Sequence, residues 1–289
     1  MKIRIITAII AAAVFIPILI FSYTWVFPCA MAFGCVLGCL EMISCAGQKK
    51  NFWLIIPISV FAALAPIGVR YFYKNIVTIS FSSSFGEFIK LAVCAAVVLV
   101  IYIFGVAVFA NKKLPITDAA MIAAGCLYII SAFVAIIYIR DYVWQGQFVY
   151  LLIFFSAWMT DSFAYFTGRL LGKHKLIPSV SPKKTVEGAI GGIVFGVLTT
   201  VGFGFVIETF FNPEGLISAN YLSLAISGIF LSVVSQIGDL IMSVIKRHYN
   251  IKDYGKFFPG HGGILDRFDS IIAVSLVMAV ICTYFNFFA

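Results

Sequence analysis

Residues 91–110 read LAVCAAVVLVIYIFGVAVFA, with no charge and no proline. A spanning α-helix needs about 20 mostly apolar residues. Hydrocarbon offers no hydrogen bonds, so backbone there must bond internally, as a helix or as a closed barrel of alternating strands. This run is continuously apolar rather than alternating, which selects the helix. It lies within one of nine such stretches, at roughly 5–23, 24–46, 52–70, 86–110, 117–139, 146–168, 187–209, 220–246 and 268–288. No connection between them is long enough for a soluble domain. The expected fold class is an all-α polytopic integral membrane protein with about nine transmembrane helices.

The 289-residue composition agrees. Apolar residues make up 62% and charged residues 11%, against about 25% charged in an average soluble protein. That excludes a soluble enzyme, a disordered chain and a secreted disulfide scaffold. Lys2 and Arg4 precede the first apolar run, as in a signal peptide, but the run is long for one. A second span follows almost at once, and Val26-Phe27-Pro28-Cys29 lacks the small residues of a lipoprotein cleavage site. A retained helix is expected. The seven cysteines (29, 35, 39, 45, 94, 126 and 282) all fall in apolar spans. They read as small buried apolar residues rather than metal ligands.

The 20 basic residues divide unevenly across nine spans. With the N-terminus inside, 16 fall on one side, and Arg70, Lys74, Lys90 and Arg140 fall on the other. The positive-inside rule then places the N-terminus in the cytoplasm and the C-terminus outside.

The two halves differ in character. Residues 1–145, about five helices, carry little chemistry. Pro57, Pro66 and Pro115 read as lying in or near helix ends, and 71–85 as an interfacial connection. Glu41, the acid within an early span, reads as a snorkelling side chain. No internal repeat is visible. Residues 146–289 hold two basic loops, 169–186 and 247–267, with ten bases between them counting Lys246 at the edge. Six acids gather on the same side: Asp161, Glu187, Asp239, Asp253, Asp266 and Asp269.

Asp239 sits about two turns inside the eighth span. An intramembrane carboxylate costs roughly 2.5–3.5 kcal/mol on insertion scales. Ser243, Lys246 and Arg247 follow at i+4, i+7 and i+8, on one helical face. Asp239 is thus either paired with its own helix's lysine or kept for a cation or substrate. Asp161 repeats the arrangement with Tyr165 and Arg169, where a structural hydrogen bond and a catalytic role weigh about equally. In Pro259-Gly260-His261-Gly262-Gly263-Ile264-Leu265-Asp266-Arg267-Phe268-Asp269 the glycines permit close backbone approach to an anion. Asp266 and Asp269 lie three apart at a helix start, where acids also serve as caps. Three carboxylates among bases fit Mg²⁺, which takes one or a few carboxylates plus substrate phosphates. That is equipment for phosphoryl or nucleotidyl transfer. In Ser181-Pro182-Lys183-Lys184-Thr185-Val186-Glu187-Gly188 the pattern suits a helix start. Lys183 and Lys184 either bind substrate or anchor the helix in anionic lipid. Gly188, Gly192 and Gly196 form a small-residue stripe for close helix packing.

These residues resemble a known family. Ser243-Val244-Ile245-Lys246-Arg247, then Lys252-Asp253-Tyr254-Gly255, then Pro259 to Asp269, is similar to the phosphatidate cytidylyltransferase (CDP-diacylglycerol synthase) signature over 27 residues. The 181–188 stretch and Asp161…Tyr165…Gly168-Arg169 resemble that family as well. Met242 is a departure, since many relatives carry an acid before the serine. The resemblance implies that CTP and phosphatidic acid give CDP-diacylglycerol and pyrophosphate. It further implies a homodimer and Mg²⁺ dependence, with room for a second cation; the expected location is the plasma membrane, with the site on the cytoplasmic side where the bases gather. By position, Asp239, Asp266 and Asp269 would hold metal. Ser243 and Lys246 join them as the catalytic set. Asp161, Arg169, Lys183, Lys184, Arg247, Lys252, His261, Gly262, Gly263 and Arg267 would contact substrate. His261 is expected to donate a hydrogen bond rather than act as a base. No nucleic-acid partner is expected. The rival readings are a CTP-dependent polyprenol kinase or archaeal-lipid cytidylyltransferase, a transporter, and a structural scaffold.

Overall fold

A computed structural model describes residues 2–76, 81–110, 113–211 and 215–288. Part of the 71–85 connection, and Lys112, lie outside them. The helices are α1 (Lys2–Ile20), α2 (Val26–Cys45), α3 (Phe52–Ile76), α4 (Phe81–Ala110), α5 (Ile116–Tyr142), α6 (Gly146–Leu170), α7 (Val186–Phe210), α8 (Tyr221–His248) and α9 (Leu265–Tyr284). Two strands, β1 (Lys175–Ile177) and β2 (Ser181–Thr185), stand between α6 and α7. Each expected span thus coincides with a helix. Among the described residues seven of them, α2 to α8, are long and apolar enough to cross a membrane. In α1 the described apolar part is shorter, Ile6–Ile20. In α9 the first turns carry Asp266, Arg267 and Asp269, which dilute its apolar length.

The chain forms two compact units, Met1–Tyr138 with Ile251–Asp266, and Ile139–Asn250 with Arg267–Ala289. In the first, α2 buries Phe27, Met31, Cys35, Cys39 and Met42 at helical spacing. Gly34 packs on the Phe133 ring of α5, and Gly38 on Ile129. Arg70 is 2% exposed. Its guanidinium donates to the carbonyls of Ser22, Tyr23 and Thr24 at 2.9, 3.3 and 3.2 Å, so it closes the turn between α1 and α2. Pro57 and Pro66 lie inside α3 rather than near its ends. A membrane helix tolerates interior proline because neighbouring groups satisfy the freed backbone.

The second unit is built on the glycine stripe of α7. A β-carbon on Gly188 would lie 2.6 Å from the Ala164 carbonyl of α6. One on Gly192 would meet Thr160 and Ala164, and one on Gly196 would strike Ser232 of α8. Without side chains there, the three backbones approach closely enough for polar cross-links. Thr160 Oγ1 donates to Ser232 Oγ at 3.1 Å, and Gln236 Nε2 donates to the Ala189 carbonyl at 3.2 Å. The cost of disturbing this contact is testable. Gly196→Ala should lower stability by about 1–3 kcal/mol through overpacking. Gly202→Ala, whose β-carbon meets nothing within 4 Å, should be neutral or slightly stabilising in thermal melts.

The 169–186 segment is more than a loop. Residues of β1 and β2 pair antiparallel, Lys175 opposite Thr185 and Ile177 opposite Ser181. At its end Thr185 caps α7, its side chain accepting from the Gly188 N–H at 3.1 Å. Glu187 turns back instead to His174, 2.6 Å from Nδ1, and accepts the His174 N–H at 3.2 Å. The hairpin is therefore fixed to the start of α7, which sets where Lys183 and Lys184 stand.

Candidate active site

Three carboxylates and two ammonium groups converge in the second unit. Asp161 lies nine residues before Leu170, the end of α6, and Asp239 nine before His248, the end of α8. Both are therefore about 14 Å inside their helix ends at 1.5 Å per residue. Lys184 Nζ, carried by β2, is 2.7 Å from Asp239 Oδ2. It also donates to the Gln236 carbonyl at 3.3 Å. Ser243 Oγ, one turn along α8, donates to Asp239 Oδ1 at 3.4 Å. Asp269 and Lys246 lie near enough to Asp239 for their charges to act on it. Asp161 accepts from Ser270 Oγ at 2.9 Å. Asp269 Oδ1 accepts the Ser270 N–H at 2.9 Å.

The cluster is reachable by water. The Asp239 and Lys184 side chains are 27% and 23% exposed, Asp269 is half-buried, and Asp161 is exposed. Burying carboxylates without partners costs far more than pairing them. The observed partners are lysines and hydroxyls, which leaves negative charge on offer to a cation and positive charge on offer to a phosphate.

Asp239 is thus held by a lysine from another element, 55 positions earlier, with Ser243 as its own-helix partner. Lys184 is turned to Asp239, whereas Lys183, its neighbour on the opposite face of β2, is exposed. Arg169 is exposed and donates to the Tyr165 hydroxyl at 3.4 Å, while Asp161 turns to Ser270. Arg247 is exposed and Lys246 half-buried.

Lys252, His261, Gly262 and Gly263 belong to the first unit, on the loop that precedes α9, and Asp266 of the first turn of α9 belongs to it too. There Phe258 N–H donates to the Gly262 carbonyl at 2.9 Å, and the His261 N–H to the Phe258 carbonyl at 2.9 Å. Gly260 and Gly262 have φ of 78° and 92°, a region that favours glycine. Asp266 Oδ2 accepts the N–H groups of Tyr254 and Gly263 at 2.8 and 2.9 Å. The glycines do approach anions closely, but the anions are the protein's own. A β-carbon on Gly262 would lie 2.7 Å from Asp266 Oδ2, and one on Gly263 would strike the Glu41 carboxylate. Glu41 does not snorkel. It accepts the Ile264 and Leu265 N–H groups at 2.9 and 2.8 Å.

Sequence reading missed Ser270, Gln236 and the role of Glu41. Ser270 was within reach, because it directly follows Asp269 in the motif. Glu41 had a signal too, as the acid of an otherwise uncharged span, but its partners are 223 and 224 residues away.

Among the described residues, no three His, Cys, Asp or Glu side chains form a group arranged to hold a metal ion. Mg²⁺ needs fewer, since one or two carboxylates suffice when substrate phosphates and waters complete its shell. Asp239 and Asp269 are the carboxyls that could contribute to such a shell.

Comparison with known proteins gives the chemistry a family. The profile described as "Cytidylyltransferase family" matches residues 2–285. The phosphatidate cytidylyltransferase of Staphylococcus haemolyticus is 32% identical over 275 residues, covering 95% of this chain and 96% of that protein. That of Staphylococcus epidermidis is 33% identical over the same length. That of Bacillus subtilis is 39% identical over 188 residues, 64% of each chain. The chain belongs to the cytidylyltransferase family.

Proposed function

We propose that this multi-pass membrane protein is a phosphatidate cytidylyltransferase, converting CTP and phosphatidic acid to CDP-diacylglycerol and pyrophosphate in phospholipid synthesis. The observation that carries the reading is the Asp239–Lys184–Asp269 cluster within a chain of this family. A carboxylate pair beside lysines is what a cation and a phosphate need together.

A phosphatidate oxygen attacks the α-phosphorus of CTP. A phosphoanhydride bond forms there, the bond to the β-phosphate breaks, and its electron pair leaves with pyrophosphate. The second pKa of a phosphate monoester is about 6, so the nucleophile is ionised at neutral pH and no general base is required. Asp239 and Asp269 would hold Mg²⁺, which when bound neutralises phosphate charge. A second cation is compatible with Asp161. Lys184, Lys246 and Ser243 bind phosphate oxygens and hold them in line. On the strength of the sequence signature, Arg169, Lys183, Arg247, Lys252, His261, Gly262, Gly263 and Arg267 complete the substrate contacts. His261 donates a hydrogen bond there. The two backbone bonds of Asp266 support a loop-shaping role for it rather than a direct place on the metal.

The same proposal puts the N-terminus and the site on the cytoplasmic side of the plasma membrane and the C-terminus outside, from the 16-to-4 division of bases. It takes the enzyme to be a homodimer. Product identification tests the substrate class. Mass spectrometry should find CDP-diacylglycerol from CTP and phosphatidate, and no product when a polyprenol replaces phosphatidate. A phosphorylated polyprenol would contradict the reading.

A further inference from the structure

The loop before α9 is fastened by two carboxylates. Asp266 holds it from the first turn of α9, through Tyr254 and Gly263. Glu41 holds it from α2, accepting at 2.9 Å from Ile264 and at 2.8 Å from Leu265. The first N–H groups of a helix have no partner within the helix. Leu265 opens α9, so Glu41 acts as its cap from a distant segment, and its negative charge suits a helix N-terminus. Glycine is required around it, because a β-carbon on either Gly255 or Gly263 would strike the Glu41 carboxylate. Two further contacts dock the same loop on the first unit. The Phe257 ring meets Phe33 edge-on at 6.1 Å, and Leu265 packs 3.1 Å from the position of a β-carbon on Gly38.

We propose that Glu41 is a positioning residue for the reaction: it sets the shape of the loop that presents Lys252 and His261 to substrate phosphates. This rests on the cytidylyltransferase reading above. Glu41 touches no substrate. It acts through the backbone of Ile264 and Leu265, which fixes the course of the chain just after the two glycines.

Glu41→Gln tests this in the full-length enzyme. The amide keeps the size but turns one acceptor into a donor facing an N–H, and it removes the charge. Gly255→Ala is the second variant, in case the first fails to fold. It leaves Glu41 in place and pushes a methyl group into its carboxylate. Gly34→Val is the comparator, since it disturbs α2 against Phe133 without touching the loop. Hydrogen exchange should accelerate at least about tenfold in peptides spanning 254–268 and stay unchanged over 175–185. The KM for CTP should rise at least about tenfold. Gly34→Val should lower the melting temperature while leaving loop exchange and KM alone. Unchanged exchange in both loop variants overturns the proposal. So does faster exchange with an unchanged KM, which would make Glu41 structural only. Failure of the underlying reading looks different: the wild-type enzyme then makes no CDP-diacylglycerol, and the positioning claim falls with it.

Discussion

Asp239→Asn should lower turnover with CTP and phosphatidate by at least about 100-fold while leaving the protein folded. The amide is isosteric, so the close packing of α7 on α8 at Gly192 and Gly196 is undisturbed. What changes is charge. The neutral amide would no longer balance Lys184 at 2.7 Å, and beside Asp269 it would no longer complete a paired anionic site. Both members of the ion pair are about a quarter exposed, so solvent screens the pair and its loss costs no more than about 1 kcal/mol. The melting temperature should therefore move by no more than about 4 °C. Steady-state kinetics and a thermal melt on the same preparation check both halves. Wild-type turnover in the variant would contradict the metal assignment, and an unfolded variant would show the ion pair to be structural.

Lys184→Met should have the next largest effect, a fall in kcat/KM of about 100-fold. The lysine reaches the cluster from β2, so its position depends on the hairpin and on the Thr185 cap of α7. On the proposed function its loss removes a phosphate contact, and it leaves Asp161, Asp239 and Asp269 with less counter-charge. Repulsion among them then favours cation binding in the folded state. Mg²⁺ should accordingly raise the melting temperature of Lys184→Met by more than it raises that of the wild type, because a ligand of the native state stabilises it by mass action. Equal shifts in the two proteins would mean that Mg²⁺ binds elsewhere.

What the sequence discloses and what it hides follow one physical distinction. Signals confined to a single element are legible. Each span reads from continuous apolarity, the α7 glycine stripe reads from its period of four, and the Asp239–Ser243 face reads from helical spacing. Contacts between remote elements carry no local signal. Nothing near Asp239 announces Lys184, and nothing near Glu41 announces Leu265. The β1–β2 hairpin escapes because a three-residue strand with two charges nearby has no clear alternation. Pro57 and Pro66 mislead because proline usually marks a helix end in water, and that rule weakens inside a membrane. The glycine-rich motif does cradle anions, but its two carboxylates come from Asp266 and Glu41.

The distribution of charge now has a structural meaning. Few ionisable groups lie within the spans, and in the second unit Asp161, Asp239 and Asp269 gather near Lys184 and Lys246. Such a group costs stability in an apolar surround, and a cytidylyltransferase has a use for it. Purified protein supplied with phosphatidate, Mg²⁺ and each of the four nucleoside triphosphates in turn, with pyrophosphate release as the readout, tests that claim most directly. Release is expected with CTP, dependent on both phosphatidate and Mg²⁺. Release that ignores phosphatidate, or none with CTP, would contradict it.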